Sequence, residues 1–317
     1  MTNSDPPYKG YVRGWALISA EDLKALWDSQ QAWNNRDSIQ DPEKGPQEDP
    51  KLVIIDVGKP LLHYRTEGHI PGAFNIWRPD YDSGEIMWGD VAAENILDRQ
   101  AFQNFLRGFG IDNDSQVIFY DHKYDATRLW WACKLYGFDV RVLDGGFAAW
   151  KAADYEVDRM SSPSQPSRGS IVLNGGQPLI RVDTDAIWRA KDDPHWVVWD
   201  IRSEAEIDGS RKRAKRMGKI PWQKALVPWK EVHGEDGTFL DARALKSDVI
   251  DKYGFDPAQH HVFFCQSGVR VTQTFFALYL YGFPLEHLHI YDSSWIYWGN
   301  APETPIVDEN GKPVVLE

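Results

Sequence analysis

The sequence predicts an α/β protein made of two tandem copies of one domain, each a mostly parallel sheet flanked by helices. Three observations carry this reading. Short runs of β-branched and aromatic residues alternate with amphipathic stretches, the pattern of strand–helix units. The same ordered set of segments occurs twice: Asp56 precedes Asp200 by 144 residues, and Trp150 precedes Trp298 by 148. So constant an offset signals a repeated unit. Between the sets lies Ser161 to Ser170, rich in Ser and Pro and without apolar periodicity, as interdomain segments are.

In order, the first copy opens with an expected helix over Ser19–Trp27 and a buried strand LVIIDV, Leu52 to Val57. GHIPGAFNI follows from Gly68, then an expected helix over Asp98–Phe109, the strand VIFYD ending at Asp121, and an expected helix over Ala126–Tyr136. VRVLDGGFAAW closes the copy at Trp150. The second copy repeats this with a helix over Asp183–Ala190, WVVWDIR at Trp196 to Arg202, and MGKIPWQKALVPW from Met217. Then come a helix over Asp241–Tyr253, HVFFC ending at Cys265, a helix over Thr272–Tyr281, and LHIYDSSWIYW ending at Trp298. The polar stretch Asn34 to Pro50, with three prolines, reads as a surface loop peculiar to the first copy. The expected limits are residues 10–157 and 179–310 for the two domains, joined by a linker over 158–178.

Composition narrows the function. Apolar residues make up 42% and charged residues 26%, a globular profile, and no run of about 18 apolar residues is present to span a membrane. A net charge of −12 argues against nucleic-acid binding, which needs a basic face. The basic cluster Arg211 to Arg216 reads as a solvated loop. Two distant cysteines and no basic-then-apolar leader fit a reducing, cytoplasmic setting.

Of the two cysteines, Cys133 sits in RLWWACKLYGF, a packed helix, and reads as core. Cys265 ends an apolar strand and opens the loop Gln266-Ser267-Gly268-Val269-Arg270 before a helix. In parallel sheets, ligands bind beyond the carboxyl ends of the strands. Amides in such a loop converge on one point, the helix N-terminus adds positive potential, Gly268 permits positive φ, and Arg270 adds a fixed charge. That cradle would stabilise a thiolate or a persulfide anion. The alternative is a buried, inert cysteine.

The chain resembles the tandem-domain rhodanese family of sulfurtransferases, which includes thiosulfate and 3-mercaptopyruvate sulfurtransferases. The resemblance rests on His69-Ile-Pro-Gly72, Asp144-Gly-Gly146 with Trp150, Cys265 with its loop, and Tyr291-Asp-Ser-Ser-Trp295 with Trp298, and it runs from about Trp15 to Pro305. It implies that only the second copy carries the nucleophile. Cys265 would take a sulfane sulfur from a donor (thiosulfate, 3-mercaptopyruvate or a persulfide, including a protein persulfide) and pass it to a thiol or cyanide. No metal or organic cofactor, nucleic acid or membrane is implied. The substrate site would comprise Gln266, Ser267, Gly268, Val269, Arg270, His69 and Glu206.

The chain also departs from the family pattern. Ser267 matches the mercaptopyruvate type, whereas Arg270 stands where threonine is usual. Glu206 occupies the position of a substrate-binding arginine, where a carboxylate would repel an anionic donor. Either Arg270 or the basic segment 211–216 would have to replace that charge. His69 has a proton-transfer role in mercaptopyruvate enzymes, or it simply orders its loop; Arg202 is expected in a structural pair. A phosphatase would need its arginine at position 271, which is Val271. A non-catalytic rhodanese-like binding module is the remaining alternative.

Overall fold

The computed structural model describes residues 8–37, 51–82 and 96–315. In the first copy, β1 (Leu17–Ile18), α1 (Ala20–Asp37), β2 (Leu52–Val57), β3 (Phe74–Ile76), α2 (Arg99–Arg107), β4 (Gln116–Asp121), α3 (Ala126–Leu135), β5 (Arg141–Leu143) and α4 (Gly146–Ala152) follow in order. The second copy has β6 (Arg181–Val182), α5 (Thr184–Asp192), β7 (Trp196–Asp200), α6 (Glu204–Ile207), β8 (Ala225–Leu226), α7 (Ala242–Leu245), β9 (His260–Phe264), α8 (Val271–Tyr281), β10 (Leu288–Tyr291) and α9 (Ser294–Trp298). Each sheet is five-stranded and every strand pair is parallel. The orders are β1-β5-β4-β2-β3 and β6-β10-β9-β7-β8, one topology used twice. The expected α/β fold with two tandem parallel sheets is what the chain adopts.

Caps set several helix starts. Ser19 Oγ accepts the Asp22 amide at 3.0 Å ahead of α1, and Asp98 and Asp241 take the Ala101 and Ala244 amides at 2.8 and 2.7 Å. Two expectations need correction. α1 continues to Asp37 instead of stopping at Trp27, so the polar stretch begins as helix; its residues 38–50 lie outside the described residues. The expected helix over Asp241–Tyr253 is α-helical only to Leu245, then widens into a π-helical turn over Lys246–Asp251. Leu245, Val249 and Ile250 of this stretch are all buried.

α3 and α8 carry apolar residues on every side because they lie between the sheets and pack on each other across the two copies. Trp130 of α3 meets Phe276 and Tyr279 of α8 at ring distances of 4.5 and 4.8 Å. The largest core cluster therefore draws on both copies, and each large side chain in it contributes about 1.5–3 kcal/mol by leaving water. The two helices are the ones that follow the middle strands, β4 and β9. Among the described residues, no helix is long and apolar enough to cross a membrane.

Candidate active site

Cys265 follows β9, the middle strand of the second sheet, and is buried. The loop after it is held by its carbonyls. Cys265 O and Gln266 O accept the amides of Trp295 and Ile296 at 3.0 and 2.9 Å. Ser267 O accepts from Arg78 Nη2, Gly268 O from Arg128 Nη1 at 3.2 Å, and Val269 O from the Thr272 amide and hydroxyl at 3.0 and 2.7 Å. The amides of residues 266–270 meet no acceptor among the described residues. With its carbonyls engaged, the loop presents its N–H groups to the residue that opens it, a concave anion-binding arrangement.

Gly268 adopts φ +76°, and a Cβ there would lie 2.8 Å from Asp292 Oδ1, so the loop needs glycine at this point. The Cys265 amide donates to Ser294 Oγ at 3.3 Å, and that hydroxyl donates to Tyr291 O at 2.9 Å. Ser294 itself is at φ +50°, unusual for a residue with a Cβ.

The first copy supplies much of the support. Arg78 reaches across to Ser267, its Nη1 donating to Oγ at 2.8 Å. Buried Arg128 joins Gly268 O to the carboxylates of Asp292 (2.7 Å) and Asp82 (3.4 Å). Neither arginine is legible as a site residue in the sequence, since the loop residue each reaches, Ser267 or Gly268, lies more than 130 positions away in the chain. Tyr124, also from the first copy, lies within electrostatic reach of Cys265, Arg270 and Arg213, and its ring meets Trp229 edge-on at 5.1 Å.

Glu206 and Arg270, the two departures from the family pattern, meet each other. They form a two-pronged pair, with Nη1–Oε2 and Nη2–Oε1 both 2.7 Å. Burial alone would push the Glu206 carboxyl up; the bonds and charge of Arg270, with those of Ser203, hold it down to about 2. Glu206 is therefore no open repelling charge, and Arg270 is no free guanidinium. The basic segment is also more than a solvated loop. Arg213 O accepts from Gln266 Nε2 at 2.8 Å and Arg213 Nη1 lies 3.8 Å from Glu206, while Arg216 is buried, donating to the carbonyls of Thr304, Trp298 and Ala301.

His69 does not join this cluster. It is buried against Tyr64, with ring centroids 3.6 Å apart; its Nδ1 lies 3.0 Å from Tyr64 O and its Nε2 4.0 Å from Asp158. Arg202 is structural, as expected: it pairs with Asp200 at 2.7 Å and stacks on Trp295. Cys133 is fully buried, and burial pushes its thiol far up, so it stays protonated.

The first copy shows what an occupied cradle looks like. Asp121 stands where Cys265 stands, at the end of the middle strand. Its carboxylate accepts the Lys123 and Ala126 amides at 2.9 and 2.6 Å, so the side chain itself takes up N–H groups of the loop that follows. Among the described residues, no group of three or more His, Cys, Asp or Glu side chains could hold a metal ion.

The chain is similar to known proteins along most of its length. The rhodanese-like domain family matches residues 43–153. The sulfur carrier protein TtuD of Thermus thermophilus is 30% identical over 280 residues, 82% of this chain and 92% of that one. A putative thiosulfate sulfurtransferase of Saccharopolyspora erythraea is 31% identical, over 80% of this chain and 90% of its own. The mitochondrial thiosulfate/3-mercaptopyruvate sulfurtransferase 1 of Arabidopsis thaliana is 27% identical, over 81% and 74%. Wild-type EanB shares the fold, with a TM-score of 0.76 at 21% identity over 93% of this chain and 70% of that one. With relatives of this kind aligned along most of its length, the chain belongs to the rhodanese family of sulfurtransferases.

Proposed function

We propose that Cys265 carries the transferred sulfur as a persulfide, and that thiol persulfides are better donors than thiosulfate. The loop whose carbonyls are engaged while its amides are free carries this reading. Such a cradle suits one anionic sulfur beside Cys265, whereas a phosphate-binding loop would carry its arginine one residue later, where Val271 stands. In the first step the Cys265 thiolate attacks the outer sulfur of a donor R–S–SH, giving Cys265–S–SH and R–S⁻. In the second, an acceptor thiolate R′–S⁻ attacks that outer sulfur, giving R′–S–SH and returning the Cys265 thiolate. The sulfur keeps its oxidation state throughout, so no cofactor is needed.

The donor preference follows from the Glu206–Arg270 pair. A dianion needs net positive charge beside the cysteine, and each of these charges neutralises the other. A persulfide donor needs less. Mass spectrometry tests the reading directly: incubation with glutathione persulfide should add roughly 32 daltons, one sulfur, to Cys265. The adduct should be absent from Cys265→Ser and slower to form with thiosulfate. No adduct on Cys265 with persulfide, thiosulfate or mercaptopyruvate would leave a binding module as the better account.

A further inference from the structure

We propose that the exposed cations of the 211–216 segment form a docking rim that draws an acidic protein, presenting a thiol or persulfide, to Cys265. The proposal rests on the sulfur-carrier reading above and adds a partner to it. Residues 211–213 and 215 are exposed while Arg216 is buried. The segment is held at three points. Arg216 donates to the carbonyls of Thr304 and Trp298 at 2.8 and 3.3 Å, the Lys215 amide to Asn300 Oδ1 at 2.7 Å, and the Arg211 amide to Ala205 O at 2.7 Å. A buried arginine thus fixes a turn on which Arg211, Lys212 and Lys215 face water, while Arg213 leans toward Glu206.

That turn adjoins the reacting loop, because Arg213 O takes the side chain of Gln266, the residue after Cys265. Charges nearer the sulfur are already spent, Arg270 on Glu206. The rim's cations keep their field for the approaching partner. On a chain of net charge −12 a local basic turn beside the active cysteine sets a direction for approach. Exposed Glu204 and Asp208 border it, which confines the positive field to a small patch. So small a patch suits an acidic protein segment; nucleic acid needs a wider basic face.

The chemistry at the rim is the transfer already described: Cys265–S–SH plus R′–S⁻ gives the Cys265 thiolate plus R′–S–SH, with no outside oxidant. The test uses the full chain loaded with inorganic polysulfide. Acceptors are synthetic peptides with one cysteine flanked by glutamates or by glutamines, and uncharged 2-mercaptoethanol. At low ionic strength the acidic peptide should accept sulfur about tenfold faster than the neutral one, an advantage that collapses near 0.3 M salt as the screening length shortens.

The variant R211E/K212E/K215E should abolish that advantage while transfer to 2-mercaptoethanol stays within about twofold, charge reversal at a rim acting mainly on encounter. An acidic peptide no faster than the neutral one, or an advantage that survives in the variant, overturns the docking rim alone. Loss of transfer to 2-mercaptoethanol in the variant also overturns it, by placing these cations in the chemistry. Competition by a short RNA that exceeds competition by the acidic peptide would assign the patch to nucleic acid instead. No transfer to any thiol by the loaded wild-type protein overturns the carrier reading itself.

Discussion

Arg270 and Glu206 meet side by side beneath the surface, two hydrogen bonds of 2.7 Å joining a loop guanidinium to a helix carboxylate. In the family pattern this chain resembles, arginine stands at the Glu206 position and threonine at the Arg270 position. The structure makes these two departures one exchange. A guanidinium still adjoins the cysteine, but it comes from the reacting loop and arrives with its own counter-charge.

Glu206→Gln should therefore have two opposite effects. Removing one partner from a buried pair leaves Arg270 uncompensated, at a cost of about 3–5 kcal/mol in denaturant unfolding. The released guanidinium should also lower the KM for thiosulfate. A thiosulfate KM that does not move would show that Arg270 does not reach the donor. With the Glu206 carboxyl held to about 2, its stabilising contribution is present above its unfolded pKa, near 4.3, and is lost as pH falls through that value toward 2. The pair should thus add no inflection to the rate profile above pH 5.

Arg78→Ala removes both donors that hold Ser267, freeing its carbonyl to turn into the cradle. Charge-assisted bonds of this kind contribute about 1.5–3 kcal/mol each, so kcat should fall at least tenfold. Arg78 is partly exposed and also pairs with buried Asp82, so the unfolding midpoint should fall too, by less than the sum of these bonds. Arg78→Lys keeps the charge without the fork and should restore only part of the rate. A drop in stability as large as the drop in kcat would make Arg78 merely structural.

Much of this was legible in the sequence. Runs such as LVIIDV and HVFFC mark buried parallel strands, and the constant spacing of their counterparts marks a second copy. The Cys265 loop announces itself by a strand end, a glycine and a helix start. Arg78 and Arg128 do not, because an arginine's reach across a domain seam leaves no local periodicity. The pairing of Glu206 with Arg270 is hidden for the same reason, being a contact across 64 positions. His69 stands out by its motif, and its ring lies against Tyr64 and Asp158 with a backbone partner in Tyr64 O, as the loop-ordering alternative expects.

Two buried histidines should each withdraw stability from the fold as pH falls below 6.5. Burial is the main reason that His261 and His289 are pushed down to about 4. The hydrogen bonds agree. His261 Nδ1 accepts from Trp199 Nε1 at 3.0 Å, and His289 sits between Leu179 O and His260, so a second proton on either ring meets a donor or another histidine. Both rings favour the neutral form when folded. Their contribution is present above pH 6.5, the unfolded value, and is lost as pH falls from there toward 4, up to about 3 kcal/mol per ring. His122 is shifted upward by Asp56 and Glu67 against the effect of its burial, so it acts with the opposite sign. Burial raises the Asp121 and Asp125 carboxyls to about 6 and about 7, which favours the fold as pH falls and opposes the histidines. The histidine contribution is therefore read from a variant. In urea unfolding, His261→Gln should lose less stability, or gain more, between pH 7.5 and pH 5 than the wild type. A variant with the wild-type difference would overturn this account.

Ser294 combines strain with a contact to the cysteine, and two substitutions separate them. Its φ of +50° costs a residue with a Cβ about 1 kcal/mol, while its hydroxyl accepts the Cys265 amide and donates to Tyr291 O. The first copy has Gly146 here at φ +56°, where a Cβ would lie 2.4 Å from Asp121 O; the second copy makes room for Ser294 and uses the hydroxyl. Ser294→Ala keeps the strain and loses both bonds, so it should be less stable by about 1–2 kcal/mol. Ser294→Gly loses the same bonds and relieves the strain, so it should be more stable than the alanine variant by about 1 kcal/mol. If the hydroxyl orients the cysteine for sulfur transfer, both variants should lose kcat to the same extent despite their different stabilities. A glycine variant with wild-type kcat would show that Ser294 serves the loop's shape alone.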